Sequence, residues 1–248
     1  MTVAALYDIH GNLPALEAVL DEVRQAGVDQ IVVGGDVVPG PMPRETLARL
    51  LDLDLPVQYV MGNGDREVLA LIAGTDTGGV PERFRASMRW NADQLSTEQA
   101  HSMAAWPGTA RVEIQRPGAV LFCHATPRSD SEIFTRLTPE DRLLPIFGAL
   151  AERVVVCGHT HMQFDRMIGK ARVLNAGSVG MPFGEPGAYW LLLGPGIELR
   201  HTRYDLTAAA DRIWETKYPL AHDFARSNVL QPPSEQEMLD AFGKVELK

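Results

Sequence analysis

The chain has 248 residues, with 23 basic against 32 acidic side chains and a formal net charge of −9. No stretch gathers Lys and Arg into a patch, which excludes a general nucleic-acid surface. A hydrophobic share of 45% with 22% charged residues is that of a water-soluble globular protein, and no apolar run approaches the ~20 residues that cross a bilayer.

From the amino terminus, residues 2–8 read as a short strand. The start lacks a basic region and leads straight into Asp8, so no cleaved leader is expected. Leu13, Leu16, Val19, Leu20 and Val23 then recur at helical spacing, with Asn12 placed to cap, Pro14 in the first turn and Gly27 closing the helix. A strand at 30–33, a helix at 43–51 and a strand at 57–61 follow. This alternation predicts a parallel α/β start with functional groups at the carboxyl ends of the strands.

Residues 66–106 read as helical, broken once at 74–79 and ended by Pro107-Gly108, a candidate small helical cap over the strand ends. Short strands are predicted at 110–114, 120–123, 153–156, 163–168, 171–174, 189–193 and 197–204, with a helix at about 138–150 interrupting them. Helices at 206–214 and 235–242 close the chain, the last capped by Pro232-Pro233-Ser234. No repeat and no linker stands out, so one domain over residues 1–248 is expected. Cys123 and Cys157 supply no disulfide framework. Both end apolar runs, which points to buried thiols and a reducing, cytoplasmic setting.

Four segments each end an apolar run with side chains that ligate divalent metals: Asp8-Ile9-His10, Gly35-Asp36, Gly62-Asn63-Gly64-Asp65 and, far downstream, His124 with Gly158-His159-Thr160-His161. Asp, Asn and neutral His are the donor set of metals that activate water. Asp8 and His10 stand two apart at a strand end, where i and i+2 side chains share a face. His159 and His161 repeat that spacing, and the flanking glycines leave room around the metals. Singly, Gly-Asp is usually a turn and His-x-His usually surface decoration; the four in series carry the metal reading. Mixed carboxylate, amide and imidazole donors suit Mn²⁺, Fe²⁺ or Zn²⁺ better than Ca²⁺ or a thiolate-rich zinc site. His101, His201 and His222 lack ligand spacing and read as structural. Trp90, Trp106, Trp190 and Trp214 read as packing residues of core or cap, with an aromatic substrate wall the lesser alternative, and Cys157 as a packed thiol behind the site.

In order and spacing the set resembles the calcineurin-like metallophosphoesterase superfamily, with its D-x-H, G-D, G-N-H-[D/E], H and G-H-x-H pattern. Asn175-Ala176-Gly177-Ser178-Val179-Gly180 is also similar to the N-x-G-S-x-G loop of the family's bacterial and archaeal phosphodiesterase branch. The resemblance implies a four-layer αββα sandwich of two mixed sheets. It implies that Asp8, His10 and His161 hold one divalent ion, that Asn63, His124 and His159 hold the other, and that Asp36 bridges them. The implied activity is that of a dinuclear hydrolase of small phosphate esters, a phosphodiesterase first, acting through a metal-bridging hydroxide.

Asn63 would also reach a phosphate oxygen. Asp65 would orient the groups around the ligands, and Arg66 either contacts phosphate or is an exposed helix-start residue. The loop 126–130 and the cap are expected to shape the pocket. One position departs from the pattern: Gly64 stands where the phosphatase branch has a proton-donating His. That favours diesters and activated aryl esters over the alternatives, a phosphomonoesterase or a dinucleoside polyphosphate or phosphoprotein phosphatase. A second alternative is a protein-interaction scaffold, the use a retromer coat subunit of the family makes of this fold; it predicts eroded ligands, whereas all seven positions are filled. Neither the sequence pattern nor the resemblance speaks to oligomeric state.

Overall fold

The computed structural model describes residues 1–75 and 80–247. Two five-stranded mixed sheets form its centre. The first is ordered β10 (Ile197–Thr202), β9 (Ala188–Leu193), β1 (Val3–Leu6), β2 (Gln30–Val33), β3 (Val57–Tyr59). The second is ordered β4 (Thr109–Ile114), β5 (Gly118–Cys123), β6 (Val154–Cys157), β8 (Ala171–Asn175), β7 (Phe164–Ile168). β1, β2 and β3 run parallel, as do β5, β6 and β8. Both parallel triplets therefore point their carboxyl ends in a defined direction, and the antiparallel strands serve as flanks.

The strand period of two explains the layering. Val3, Ala5 and Tyr7 face the second sheet and pack with Val120, Phe122, Val154, Val156 and Leu174. Their neighbours Ala4 and Leu6 face the other way, into a core with Leu16, Val19, Leu47 and Val68. With both faces buried, these strands read as unbroken apolar runs rather than alternating ones. Helices α1 (Leu13–Gln25), α2 (Pro43–Leu51), α3 (Asn63–Ile72), α4 (Glu82–Gln94) and α5 (Thr97–Ala104) cover the first sheet. α6 (Glu140–Phe147) covers the second through Leu143, Ile146 and Phe147. The result is the expected helix–sheet–sheet–helix sandwich.

Local signals account for most boundaries. Asn12 Oδ1 accepts from Ala15 N at 3.2 Å and caps α1. α7 (Leu206–Trp214) is capped by Asp205, and Ser234 caps α9 (Glu235–Phe242). Three findings differ from the sequence expectation. β1 stops at Leu6, not Asp8, and β3 at Tyr59. A further helix, α8 (Ala221–Phe224), continues as a π-helical turn over Ala225–Leu230 where none was expected. α7, α8 and this turn pack through Ala209, Ile213, Phe224 and Val229 onto Leu13 and Met42, beside the start of α1.

The expected break at 74–79 begins after α3 ends at Ile72, and its residues 76–79 lie outside the described residues. Most of the 66–106 segment flanks the first sheet through Val68, Ala92, Met103 and Trp106. Among the described residues no helix is long and apolar enough to cross a membrane.

Candidate metal centre

The carboxyl ends of β1, β2, β5 and β6 and the start of α3 meet in one place. Asp8, His10, Asp36, His159 and His161 have φ of 53°, 49°, 52°, 65° and 59°. All five are left-handed, a conformation that costs a non-glycine residue roughly 1–2 kcal/mol and clusters at functional sites. The i, i+2 geometry expected of a pleated strand is therefore not what aims Asp8 and His10. They lie past the strand, in a loop laid alongside the one after β2. Asp8 N donates to Gly35 O (3.1 Å), His10 N to Asp36 O (2.9 Å) and Gly11 N to Val37 O (2.8 Å). These bonds hold the unfavourable φ angles in place.

Each carboxylate is tied by one oxygen and presents the other. Asp8 Oδ2 accepts from His159 N at 2.8 Å, and Asp36 Oδ1 from Gly64 N at 2.7 Å. Asp8 Oδ1 is buried and has no hydrogen-bond partner among the described residues. It faces His161 Nε2 at 3.4 Å, His124 Nε2 at 3.8 Å and His10 Nε2 at 4.0 Å. Asp36 Oδ2 stands 3.8 Å from His10 Nε2 and 3.7 Å from His124 Nε2.

The imidazoles are oriented in the same way. Nδ1 of His10, His124 and His161 lies against the carbonyls of Pro39 (3.1 Å), Gly34 (2.9 Å) and Met181 (2.7 Å). A carbonyl only accepts, so Nδ1 carries the proton and Nε2 turns its lone pair inward. His10 Nε2 and His161 Nε2 then face each other at 3.3 Å, lone pair to lone pair. Asn63 Oδ1 lies 3.1 Å from His124 Nε2, and a half-turn of the amide puts its nitrogen 3.0 Å from His159 Nδ1. Convergent oxygen and nitrogen acceptors with an unmatched buried carboxylate oxygen fit divalent cations.

The carboxylates and imidazoles also shift one another's titration. Burial opposes ionisation of Asp8, yet His161, His124 and His10 outweigh it and hold the carboxyl below its ordinary range. Burial pushes His10 down, and pushes His159 down to about 4 with help from His124. Burial also acts on His124 and His161, but the carboxylates of Asp36 and Asp8 prevail and hold both above the usual value.

Asp65 is fully buried behind these groups. It accepts from Val37 N (2.9 Å), Val38 N (3.2 Å) and Gly62 N (3.3 Å), and so fixes the loop that follows Asp36. Burial, and then the charge of Asp36, push its pKa up to about 7. Arg66 points elsewhere. Its guanidinium bonds Asp130 (2.6 and 3.2 Å) and Glu67 (2.9 Å), and it lines a side groove with the loop 126–130.

The loop from Asn175 to Gly180 is structural support. Asn175 Nδ2 donates to Gly158 O at 2.6 Å and Ser178 Oγ to Asp8 O at 2.7 Å, joining the β1 and β6 loops. Gly158 permits the approach: a Cβ there would lie 2.5 Å from Asp8 Oδ2 and from the Tyr7 ring. Cys123 and Cys157 are buried free thiols whose burial pushes their pKa well up, so neither is a nucleophile.

The metal centre opens at His10 and Asp36 into a cleft of about 610 Å³. His10, Asp36, Asn63 and Gly64 line it from below, the start of α4 from one side, and residues 218–228 from the other. The motifs gave no hint of this last segment, nor of Met181 and Phe183. The Phe183 ring stacks on His161 at 5.3 Å.

The calcineurin-like phosphoesterase superfamily domain matches residues 1–193, more than three quarters of the chain. The chain belongs to this superfamily. It is accordingly a metal-dependent phosphoesterase. An uncharacterized protein of Methanocaldococcus jannaschii is 26% identical over 238 residues, covering 88% of this chain and 93% of its own length. The phosphodiesterase YfcE of Escherichia coli is 26% identical over 195 residues, covering 75% of this chain and 83% of its own. These relatives belong with the bacterial and archaeal branch. Among solved structures, a metallophosphoesterase from Sphaerobacter thermophilus shares the fold with a TM-score of 0.73 at 23% identity, covering 92% of this chain and 99% of its own.

Proposed function

We propose that the chain is a dinuclear metal-dependent phosphodiesterase. Asp8, His10 and His161 hold one divalent cation, Asn63, His124 and His159 the other, and Asp36 is shared. The observation that carries this is Asp8 Oδ1, a fully buried carboxylate oxygen with no donor among the described residues, facing three imidazole nitrogens whose protons are turned away. An uncompensated buried charge of that kind is strongly destabilising, and a cation compensates it. The near-equal distances of Asp36 Oδ2 from His10 and His124 support the shared role.

Mn²⁺, Fe²⁺ or Zn²⁺ suits these donors. Such ions supply Lewis acidity at phosphoryl oxygens and lower the pKa of water towards neutrality. The chain's own groups do the positioning. The backbone amides of His159 and Gly64 and the carbonyls of Gly34, Pro39 and Met181 hold the donor atoms, and Asp65 keeps the Asp36 loop from relaxing. Asn63 is placed to meet a phosphate oxygen, whereas Arg66 enters only as the partner of Asp130.

Gly64 offers no proton to a leaving group. A general acid is worth about 10²–10⁴-fold, so esters with poor leaving groups turn over slowly, and diesters or aryl esters are favoured. The phosphodiesterase named among the relatives supports that preference. The buried free thiols suit a reducing, cytoplasmic setting. The filled donor set speaks against a pure scaffold.

The test is elemental analysis of the metal-loaded protein followed by a phosphoester panel. Two equivalents of metal are expected, with aryl diesters ahead of alkyl monoesters. His159→Ala should lose one equivalent and at least about 10²-fold in turnover. Full activity in that variant, or faster hydrolysis of unactivated alkyl monoesters, would overturn the proposal.

A further inference from the structure

The cleft has a polar floor and an apolar wall. Phe84 and Met88 of α4 line one side, and Tyr218, Leu220 and Phe224 of the C-terminal segment line the other. This second side lies beyond residues 1–193, the part that matches the family domain.

Three observations give the wall a role. Phe84 is 39% exposed in the cleft although the Arg83 guanidinium lies over its ring at 4.7 Å, so part of a large aromatic side chain stays uncovered. Tyr218 opposite is held rigid, packed edge-on against Trp90 (5.4 Å) and against Phe224 (6.3 Å). Finally, Arg226, Ser227 and Asn228 reach the cleft from a π-helical turn, a rare local structure found disproportionately at functional sites.

We propose that this wall selects the substrate by receiving an uncharged, apolar and preferentially aromatic ester group, the one that stays on phosphorus, while the floor holds the phosphoryl centre. This rests on the phosphodiesterase reading above and adds the substrate class. A monoester has no such second group and leaves the wall uncovered. A diester with a small retained group wins little from it. Burying a phenyl-sized surface against Phe84 and Tyr218 is worth about tenfold or more in binding.

The experiment uses the full chain loaded with Mn²⁺ and two diesters with the same 4-nitrophenolate leaving group. One retains a methyl group and the other a phenyl group. Each kcat/KM is divided by the uncatalysed rate of that ester. A phenyl-to-methyl ratio of about ten or more is expected, matched in calorimetry by a Kd for methylphosphonate about tenfold or more above that for phenylphosphonate. Phe84 is exposed enough for Phe84→Ala to fold, and that change should cut both ratios at least about threefold, with Phe84→Leu restoring part. A wild-type ratio near one, or a ratio that survives both Phe84→Ala and Tyr218→Ala, overturns the inference while leaving the phosphodiesterase reading intact. Absence of turnover on both esters together with absence of phosphonate binding overturns that reading, and this inference with it.

Discussion

The floor and the wall of the cleft are built on opposite principles. On the floor, five residues sit at left-handed φ, each carboxylate is pinned by a backbone amide, and three imidazoles are pinned by carbonyls. Directional bonds decide the positions of both carboxylates and of three imidazoles. The wall's apolar part, Phe84, Met88, Tyr218, Leu220 and Phe224 beside the polar Asp223, Arg226, Ser227 and Asn228, is held by packing, which is non-directional and tolerates exchange. One surface fixes the chemistry; the other can be rebuilt without disturbing it. The difference predicts where substitution is expensive.

Gly158→Ala should separate the two most sharply. A single methyl group there meets Asp8 Oδ2 and Tyr7, both fully buried, at 2.5 Å. Neither can give way without moving the carboxylate. Overpacking of this kind costs about 1–3 kcal/mol, and a shift of about 1 Å in a catalytic group costs about 10²-fold in rate. The expected result is a fall of that size in kcat/KM with weaker metal retention, read by activity and elemental analysis. A single-atom change on the wall, Ser227→Ala, which removes one hydroxyl, should stay within about 0.5 kcal/mol of wild-type stability. Equal damage from both would refute the contrast.

Gly64→His tests the boundary between the surfaces. The sequence alone left open whether a proton donor is merely absent here or is excluded. The structure answers: a Cβ at this position would lie 2.6 Å from Pro39 Cγ and 3.0 Å from Asp36 Oδ1. The variant should therefore gain no monoesterase activity and should lose about 1–3 kcal/mol of stability. Gly64→His paired with Pro39→Gly relieves the larger of the two contacts. A gain in alkyl monoester hydrolysis by the single variant would show that the backbone adapts.

The same contrast explains what the amino-acid sequence revealed. Floor chemistry is confined to a few residue types in fixed order, so Asp8, His10, Asp36, Asn63, His124, His159 and His161 stood out as a set, and the structure brings them together. The parallel start and the caps at Asn12 and Ser234 were legible through period and local chemistry. The backbone that aims the ligands was not. A left-handed Asp or His carries no compositional mark, and residues 2–8 read as one strand because Tyr7 extends its apolar run up to Asp8. The wall was invisible for another reason. Tyr218, Leu220 and Phe224 follow no helical or strand period, and a π-helical turn has no period that a sequence scan detects. Asn175 and Ser178 were noticed only through resemblance, since a polar side chain bonded to a distant carbonyl leaves no local pattern.

Arg66→Ala carries the smallest expected effect and is the finest probe of the floor's edge. Arg66 directly follows the ligand segment, and sequence reasoning allowed it a phosphate contact. In the folded chain its guanidinium is 44% exposed and already bonds Asp130 and Glu67. An exposed pair of this kind contributes about 0–1 kcal/mol, so the stability change should be small. The loop 126–130 should loosen, and because the Asp130 carbonyl lies 3.2 Å from the Asn63 amide after its half-turn, a slight effect on KM should follow. The expectation is a change within about threefold in kcat/KM, reproduced by Asp130→Asn, because both substitutions break one pair. A direct charged contact with phosphate would behave differently. Its loss would lower kcat/KM by about 10-fold or more, in line with 1.5–3 kcal/mol for a hydrogen bond to a charged group, and Asp130→Asn would then free the guanidinium and raise activity. Opposite signs from the two variants would therefore move Arg66 from the rim to the floor.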